Sequence, residues 1–243
     1  MSGGFDPGAR IRVLHVDDDP SHQTILRIFG ETYDPKMEIE ATDRIDDVFD
    51  HIERGGIDCI LSDYRMPVCN GVELAHRVRA ISDLPFILYT GQGSEEVAEA
   101  AFTAGVDDYI RKEAVPSHYQ VLFRRIRSVV EKHWAEAQLK ESLQTSASIV
   151  DAIPSGLLIY QFEEPDRLIL VDGNPAAVRL AELDIDVWRG KDFSEIWPYD
   201  EEVGLKKRYI KIIKTGETMF FDRIFWKDER VEGYFSIRSF RIP

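Results

Sequence analysis

The sequence predicts two folded units: an α/β unit built on a five-stranded parallel sheet, followed by a smaller antiparallel α+β unit. Three observations carry this. The first half alternates short apolar runs with amphipathic stretches, the pattern of a parallel sheet covered by helices on both faces. After Pro154 the pattern changes to paired apolar strands joined by turns. A length of 243 residues also exceeds that of most single domains.

The expected strands are Ile11–Val16, Met37–Ala41, Ile57–Ser62, Pro85–Thr90 and Asp107–Arg111, with helical stretches at 21–33, 43–54, 71–82 and 94–104 between them. This βαβαβαβαβ order is that of a doubly wound sheet. Ser94 before Glu95 and Glu96, and Thr42 before Asp43, read as helix starts. From Pro116 a long helix is expected. Tyr119, Leu122, Phe123, Ile126, Val129 and Val130 form a stripe that packs on the sheet. The helix continues without Gly or Pro to about Ala147, past Trp134, Ala137, Leu139 and Leu143, as a solvated connector. Exposed apolar residues on such a connector suit a two-helix seam, so a homodimer is expected.

Beyond it come Gly156–Phe162, a turn at 163–166, Leu168–Val171, helical pieces around 175–183 and 201–214, and two alternating runs, Thr218–Trp226 and Gly233–Ile242. The expected organisation is therefore a flexible start at 1–9, the α/β unit at 10–130, a linker helix at 131–147 and the antiparallel unit at 148–243.

Lys plus Arg number 30 and Asp plus Glu 44, a net charge of −14, which offers little to a phosphate backbone and argues against nucleic acid as a direct partner. The acidity is concentrated at the front, where residues 1–115 hold 23 acidic and 11 basic side chains. No apolar run reaches membrane-helix length and the start lacks a signal-peptide core, so a cytoplasmic protein is expected. Cys59 and Cys69 are too few for a disulfide framework or a structural zinc site and are expected as free thiols.

In a doubly wound sheet the ligand site lies outside the carboxyl ends of the strands. Strand one ends in Asp17, Asp18 and Asp19, strand three in Asp63, strand four in Thr90, and strand five runs to Lys112. Carboxylates gathered there repel one another unless a hard divalent cation joins them, and Mg²⁺ suits carboxylates plus a backbone carbonyl and water. A hydroxyl and an ammonium beside such a cation make an assembly for phosphoryl transfer, in which one carboxylate acts as nucleophile.

The segments LHVDDDP, LSDYRMPVCNG, LYTG and DDYIRK resemble the signature segments of the response-regulator receiver domain of two-component signalling, a flavodoxin-like fold, over about residues 10 to 130. The resemblance implies Asp63 as phosphoacceptor, and Asp17 and Asp18 as the acidic pair that holds Mg²⁺ together with Asp63 and the carbonyl of Arg65. It also implies that Thr90 contacts the phosphoryl group, that Lys112 pairs with a phosphoryl oxygen, and that Tyr109 is the aromatic that turns inward on activation. Asp19 falls where an acidic residue is common but not essential, and Gly91 is small, as access to the phosphate requires. Glu113 stands where the family usually has a proline after the lysine. A phosphatase of the haloacid-dehalogenase type also fits DDDPS, but its acidic pair follows the lysine, whereas Asp107 and Asp108 precede Lys112.

Residues from about 146 to 243 are similar to a PAS domain, through IVDAIPSGLLIY, VDGNPAAVRL with Asn174 at the family's characteristic Asn, FSEIWP and the KTGE turn. Four of that family's five strands are evident. All six His and both Cys lie before this region, which argues against His-ligated haem and cysteinyl-flavin photochemistry there. Non-covalent flavin or a small apolar acid stays open. Trp188 and Trp197 are candidate pocket residues, read more simply as core.

Together these imply a response regulator that takes a phosphoryl group on Asp63 from a histidine kinase or phosphotransfer protein and relays through the helix to the PAS-like unit and a protein target, with no separate enzyme activity. The alternative is a receiver-like scaffold or dimerisation module that phosphorylation does not regulate.

Overall fold

The computed structural model describes residues 8–91 and 95–242, without the side chains of residues 201 and 202. The expected flexible start falls mostly outside the described residues, as does the expected cap Ser94. The chain divides into two units between Glu141 and Ser142.

In the first unit the strands are β1 (Ile11–Val16), β2 (Met37–Thr42), β3 (Cys59–Ser62), β4 (Phe86–Thr90) and β5 (Asp108–Arg111). All pair in parallel, in the order β2-β1-β3-β4-β5. The helices are α1 (Pro20–Tyr33), α2 (Ile45–Arg54), α3 (Gly71–Arg79), α4 (Glu95–Thr103) and the first part of α5 (Pro116–Ala152). This is the expected five-stranded parallel sheet with flanking helices.

Strand alternation sorts its core into two layers. Leu14, Val16, Ile60, Phe86 and Leu88 pack with Val48, Leu74, Val78 and Ala101 of α2, α3 and α4. Ile11, Val13, Leu61, Ile87 and Ile110 pack with Leu26 of α1 and with Leu122, Phe123, Ile126 and Val130 of α5. The buried face of α5 thus coincides with the stripe read from the sequence. The helix continues five residues past Ala147, because nothing in it breaks the hydrogen-bond ladder before Pro154.

Thr42 does not cap α2. It ends β2, accepts from the N–H of Arg44 at 3.0 Å and donates to Asp47 Oδ2 at 2.7 Å, and Arg44 precedes the helix with no side-chain cap. Helix α3 ends at Arg79 rather than 82. Its guanidinium is turned back to the carbonyls of Leu84 and Gly105, 2.7 and 2.8 Å away.

The second unit holds two small antiparallel sheets, β6 (Leu158–Glu163) with β7 (Arg167–Gly173), and β8 (Met219–Lys227) with β9 (Glu232–Ser239). Between them run α6 (Pro175–Ala181), α7 (Ile185–Trp188), α8 (Phe193–Ile196), α9 (Asp200–Val203) and α10 (Leu205–Thr215). The single helix expected over 201–214 is two, broken at Gly204, whose φ of +72° leaves the helical region. Tyr160, Phe162 and Leu168 of the first hairpin share one apolar cluster with Phe221, Trp226, Phe235 and Ile237 of the second.

Asn174 organises the start of this unit. Buried to 2% exposure, its Oδ1 accepts from the N–H of Leu157 (2.8 Å) and Ala177 (3.0 Å), and its Nδ2 donates to the carbonyls of Val150 (3.1 Å) and Ser155 (3.0 Å). One side chain therefore caps α6 and holds the last turn of α5. Trp188 and Trp197 both pack against the buried cluster of Leu170, Leu183, Ile185 and Ile196. The Arg230 guanidinium lies over both rings, 5.7 and 4.7 Å from their centres, while Trp197 donates to the Tyr160 hydroxyl at 2.8 Å.

Candidate functional site

The strand order reverses beside β1, whose neighbours are β2 and β3, and the crevice of such a sheet opens at the carboxyl ends flanking that point. Asp17 follows β1 and Asp63 follows β3. The two ends are tied together, since the N–H of Asp63 donates to the carbonyl of Val16 at 2.8 Å.

Asp17 is buried to 1% exposure. Its Oδ1 accepts from the N–H of Asp19 at 2.9 Å, and its Oδ2 accepts from Lys112 Nζ at 2.7 Å. Burial alone would raise this carboxyl; the adjacent His15 imidazole and the Lys112 ammonium outweigh that and hold it well below the usual carboxylate range. His15 Nε2 is 3.5 Å away, an electrostatic contact beyond good hydrogen-bond length, and burial pushes this imidazole's own pKa down.

Asp63 Oδ1 lies 3.0 Å from Lys112 Nζ, and its Oδ2 accepts from the N–H of Arg65 at 3.1 Å. The loop after β3 is fixed from both ends. Ser62 Oγ donates to the Asp63 carbonyl at 2.8 Å, and Asn70 caps α3 in a reciprocal box with Glu73. A β-carbon at Gly71 would strike that same Asp63 carbonyl and come within 2.5 Å of Leu88 Cδ1, which explains the glycine at this spacing.

Lys112 comes from β5's end, where its N–H donates to the carbonyl of Thr90 at 2.8 Å. Thr90 is buried to 1% exposure and, with Gly91, Asp63, Arg65 and Lys112, lines a cavity of about 660 Å³ floored by Phe29, Tyr89 and Tyr119. The structure therefore brings together Asp17, Asp63, Thr90 and Lys112. Asp18 is exposed and lines an adjoining groove with Arg65, Met66 and Asn70. Asp19 is the N-cap of α1, accepting from the N–H of Ser21 at 2.8 Å. Tyr109 packs against the α2–α4 layer, and its buried hydroxyl has no hydrogen-bond partner among the described residues.

Two further residues join the site. His15 lies beneath Asp17, and His22, on the first turn of α1, places Nδ1 3.2 Å from Lys112 Nζ. A lone His carries little sequence signal, but three residues after an N-cap at the carboxyl edge of the sheet is a position that faces the site.

The acidic pair that a phosphatase would need is engaged elsewhere: Asp107 accepts from the N–H of Phe86 at 2.7 Å and pairs with Arg79, and Asp108 pairs with Arg125. Cys59 is buried and Cys69 half-buried, both free thiols. Among the described residues no helix is long and apolar enough to cross a membrane.

Among known proteins, the chain is similar over 109 residues to the cyclic di-GMP phosphodiesterase response regulator RpfG of Xanthomonas campestris, at 36% identity, covering 44% of this chain and 29% of that protein. It is 27% identical over 209 residues to the transcriptional regulatory protein ResD of Bacillus subtilis, covering 84% of this chain and 79% of that one. The chain thus spans less than a third of the length of the first of these relatives. Among solved structures, the BeF3-activated N-terminal receiver domain of Klebsiella pneumoniae RstA matches 49% of this chain and 97% of its own, at 27% identity and a TM-score of 0.44. The model of the response regulator receiver domain matches residues 13–127, and this part of the chain is a receiver domain of the two-component response-regulator kind.

Proposed function

We propose that the chain accepts a phosphoryl group on Asp63 from a phosphohistidine of a histidine kinase or phosphotransfer protein. The observation that carries this reading is Lys112 Nζ, at 2.7 Å from Asp17 and 3.0 Å from Asp63, one cation drawn between carboxylates from two strand ends. In the transfer an Asp63 carboxylate oxygen forms a bond to phosphorus as the phosphorus–nitrogen bond to the donor imidazole breaks, and the ring leaves with the electron pair and takes up a proton. Lys112 pairs with an equatorial phosphoryl oxygen and the Thr90 hydroxyl donates to another.

Mg²⁺ is the proposed metal. Carboxylates of Asp17, Asp18 and Asp63 with the Arg65 carbonyl are an all-oxygen, hard donor set that fits it. Among the described residues no three acidic, His or Cys side chains are already gathered tightly enough to hold a metal, so Asp18 has to turn inward from its exposed position. When bound, the cation neutralises charge on the phosphoryl oxygens.

Output is proposed to run from Thr90 and Tyr109 through α5 to a PAS-like second unit and a protein target. The order hairpin, short helices, α10, hairpin, together with Asn174 at the start of α6, supports the PAS-like reading. Leu139, Leu143 and Ile149, all at least 60% exposed on α5, support a homodimer formed along that helix. The net charge of −14 supports a protein rather than a nucleic acid as target.

The acceptor is tested by trapping. Borohydride reduction after incubation with Mg²⁺ and acetyl phosphate converts a phosphoaspartate to homoserine, expected at position 63 in the peptide map. Homoserine at another acid, or at none, overturns the assignment.

A further inference from the structure

An ammonium has three N–H bonds, and Lys112 Nζ has three groups in reach: Asp17 Oδ2 at 2.7 Å, Asp63 Oδ1 at 3.0 Å and His22 Nδ1 at 3.2 Å. The first two are charged and belong to the phosphoryl-transfer machinery. The third is the imidazole of a half-exposed residue on another element, α1. His22 Nδ1 also lies 3.3 Å from Asp17 Oδ2, but that oxygen already accepts from the ammonium, which has donors only and so asks the ring nitrogen for its lone pair.

The backbone around Lys112 holds it by little. Its N–H is fixed to Thr90, but Glu113, Ala114 and Val115 are all exposed and belong to no strand or helix before α5 begins at Pro116. A lysine at the start of such a loop keeps its head in place through the acceptors around it. Asp63 is itself the group that changes on phosphorylation, which leaves Asp17 and His22 as the acceptors that persist.

Resting on the receiver reading above, we infer that His22 is a positioning residue: its unprotonated Nδ1 accepts from the Lys112 ammonium and aims it at the Asp63 carboxylate. The ring then carries its proton on Nε2, on the side of Asp19, whose Oδ2 is 3.8 Å from that atom. The imidazole touches no reacting atom and makes no bond to phosphorus.

Asparagine and glutamine separate this role from simple space filling, because an Asn side-chain oxygen can occupy the place of Nδ1, whereas a Gln oxygen reaches that of Nε2. The full chain is phosphorylated with acetyl phosphate and Mg²⁺ over a range of donor concentrations. His22→Ala and His22→Gln are expected to lower the saturating rate about five- to tenfold, with the half-saturating donor concentration unchanged, and His22→Asn to restore it to within about twofold of wild type. Equal rates in all four proteins, or equal loss in all three variants, overturn the inference.

A second readout needs no phosphorylation. At about pH 8.5, above the ordinary imidazole range, the ¹⁵N shifts of His22 are expected to report the Nε2–H form in wild type and a loss of that preference in Lys112→Met. An Nδ1–H ring in wild type overturns the inference. A wild-type chain that takes up no phosphoryl group while His22 keeps its Nε2–H preference refutes the phosphoacceptor reading and leaves the lysine contact standing.

Discussion

Lys112 and Asp17 lie 95 residues apart in sequence and 2.7 Å apart in space, and both are nearly shielded from water. The pair joins the end of β5 to the end of β1 across the central strands. A buried ion pair left with one partner is costly, and here the loss of the cation would also leave Asp17 facing Asp63 with nothing between them. Lys112→Met is expected to slow phosphoryl uptake on the order of 100-fold, the scale of removing one donor aimed at developing charge. Initial rates with acetyl phosphate check this, and a rate within twofold of wild type would remove the lysine from the mechanism.

Gly71 is the point where packing and the proposed chemistry meet, since a β-carbon there would strike the carbonyl of Asp63. Gly71→Ala must move either that carbonyl or Leu88 in the core. The expected cost is about 1–3 kcal/mol of stability, the range for overpacking, together with slower phosphorylation. Urea unfolding measures the first effect and the phosphorylation rate the second. Loss of stability with an unchanged rate would show that the β3–α3 loop yields at Leu88 instead.

Asn174 caps α6 and at the same time holds the carbonyls at the end of α5. Asn174→Ala leaves several of these backbone groups without partners and is expected to lower stability by about 2–3 kcal/mol. Asn174→Asp keeps the acceptor atom but loses the two donations. It is expected to retain the α6 cap while hydrogen exchange quickens over 150–153, the last turn of α5 and the residue after it, whose carbonyls lose their donor.

Stability of the second unit has a defined acid limit. Burial would raise the Asp192 carboxyl, but Lys206 Nζ at 2.8 Å and the N–H groups of Ser194 and Leu168 outweigh it and hold the pKa down to about 2. Its pKa is depressed on folding, so its contribution is complete above the ordinary carboxyl pKa of about 4 and is lost as pH falls toward about 2. That contribution is about 2 kcal/mol. Unfolding followed by tryptophan fluorescence between pH 4 and pH 2 is expected to show a steeper fall for wild type than for Lys206→Met, and parallel curves would contradict it.

The doubly wound sheet was legible because its central strands β1, β3 and β4 are nearly continuous apolar runs, as burial on both faces demands, and because each strand end carries polar residues at the same edge. Asp17, Asp63, Thr90 and Lys112 could be gathered on paper for that reason. Asp18 and Asp19 could not be told apart from Asp17, since alternation and the first turn of α1 decide that one is buried, one exposed and one a cap. Thr42 misled because a β-branched residue can end a strand as readily as it starts a helix. Helices α7, α8 and α9 have four residues each, too few for a 3.6-residue period to appear, and only the acids at their starts mark them, the N-caps Asp184 and Asp192 and the first residue Asp200. His22 stayed hidden because its meaning depends on a lysine 90 residues away.

Asp63 is proposed as the single acceptor. Intact-protein mass after incubation with Mg²⁺ and acetyl phosphate tests it most directly, comparing wild type with Asp63→Asn. One phosphoryl increment is expected in wild type and none in the variant; an increment that persists in Asp63→Asn, or its absence from both proteins, would rule Asp63 out as the single acceptor.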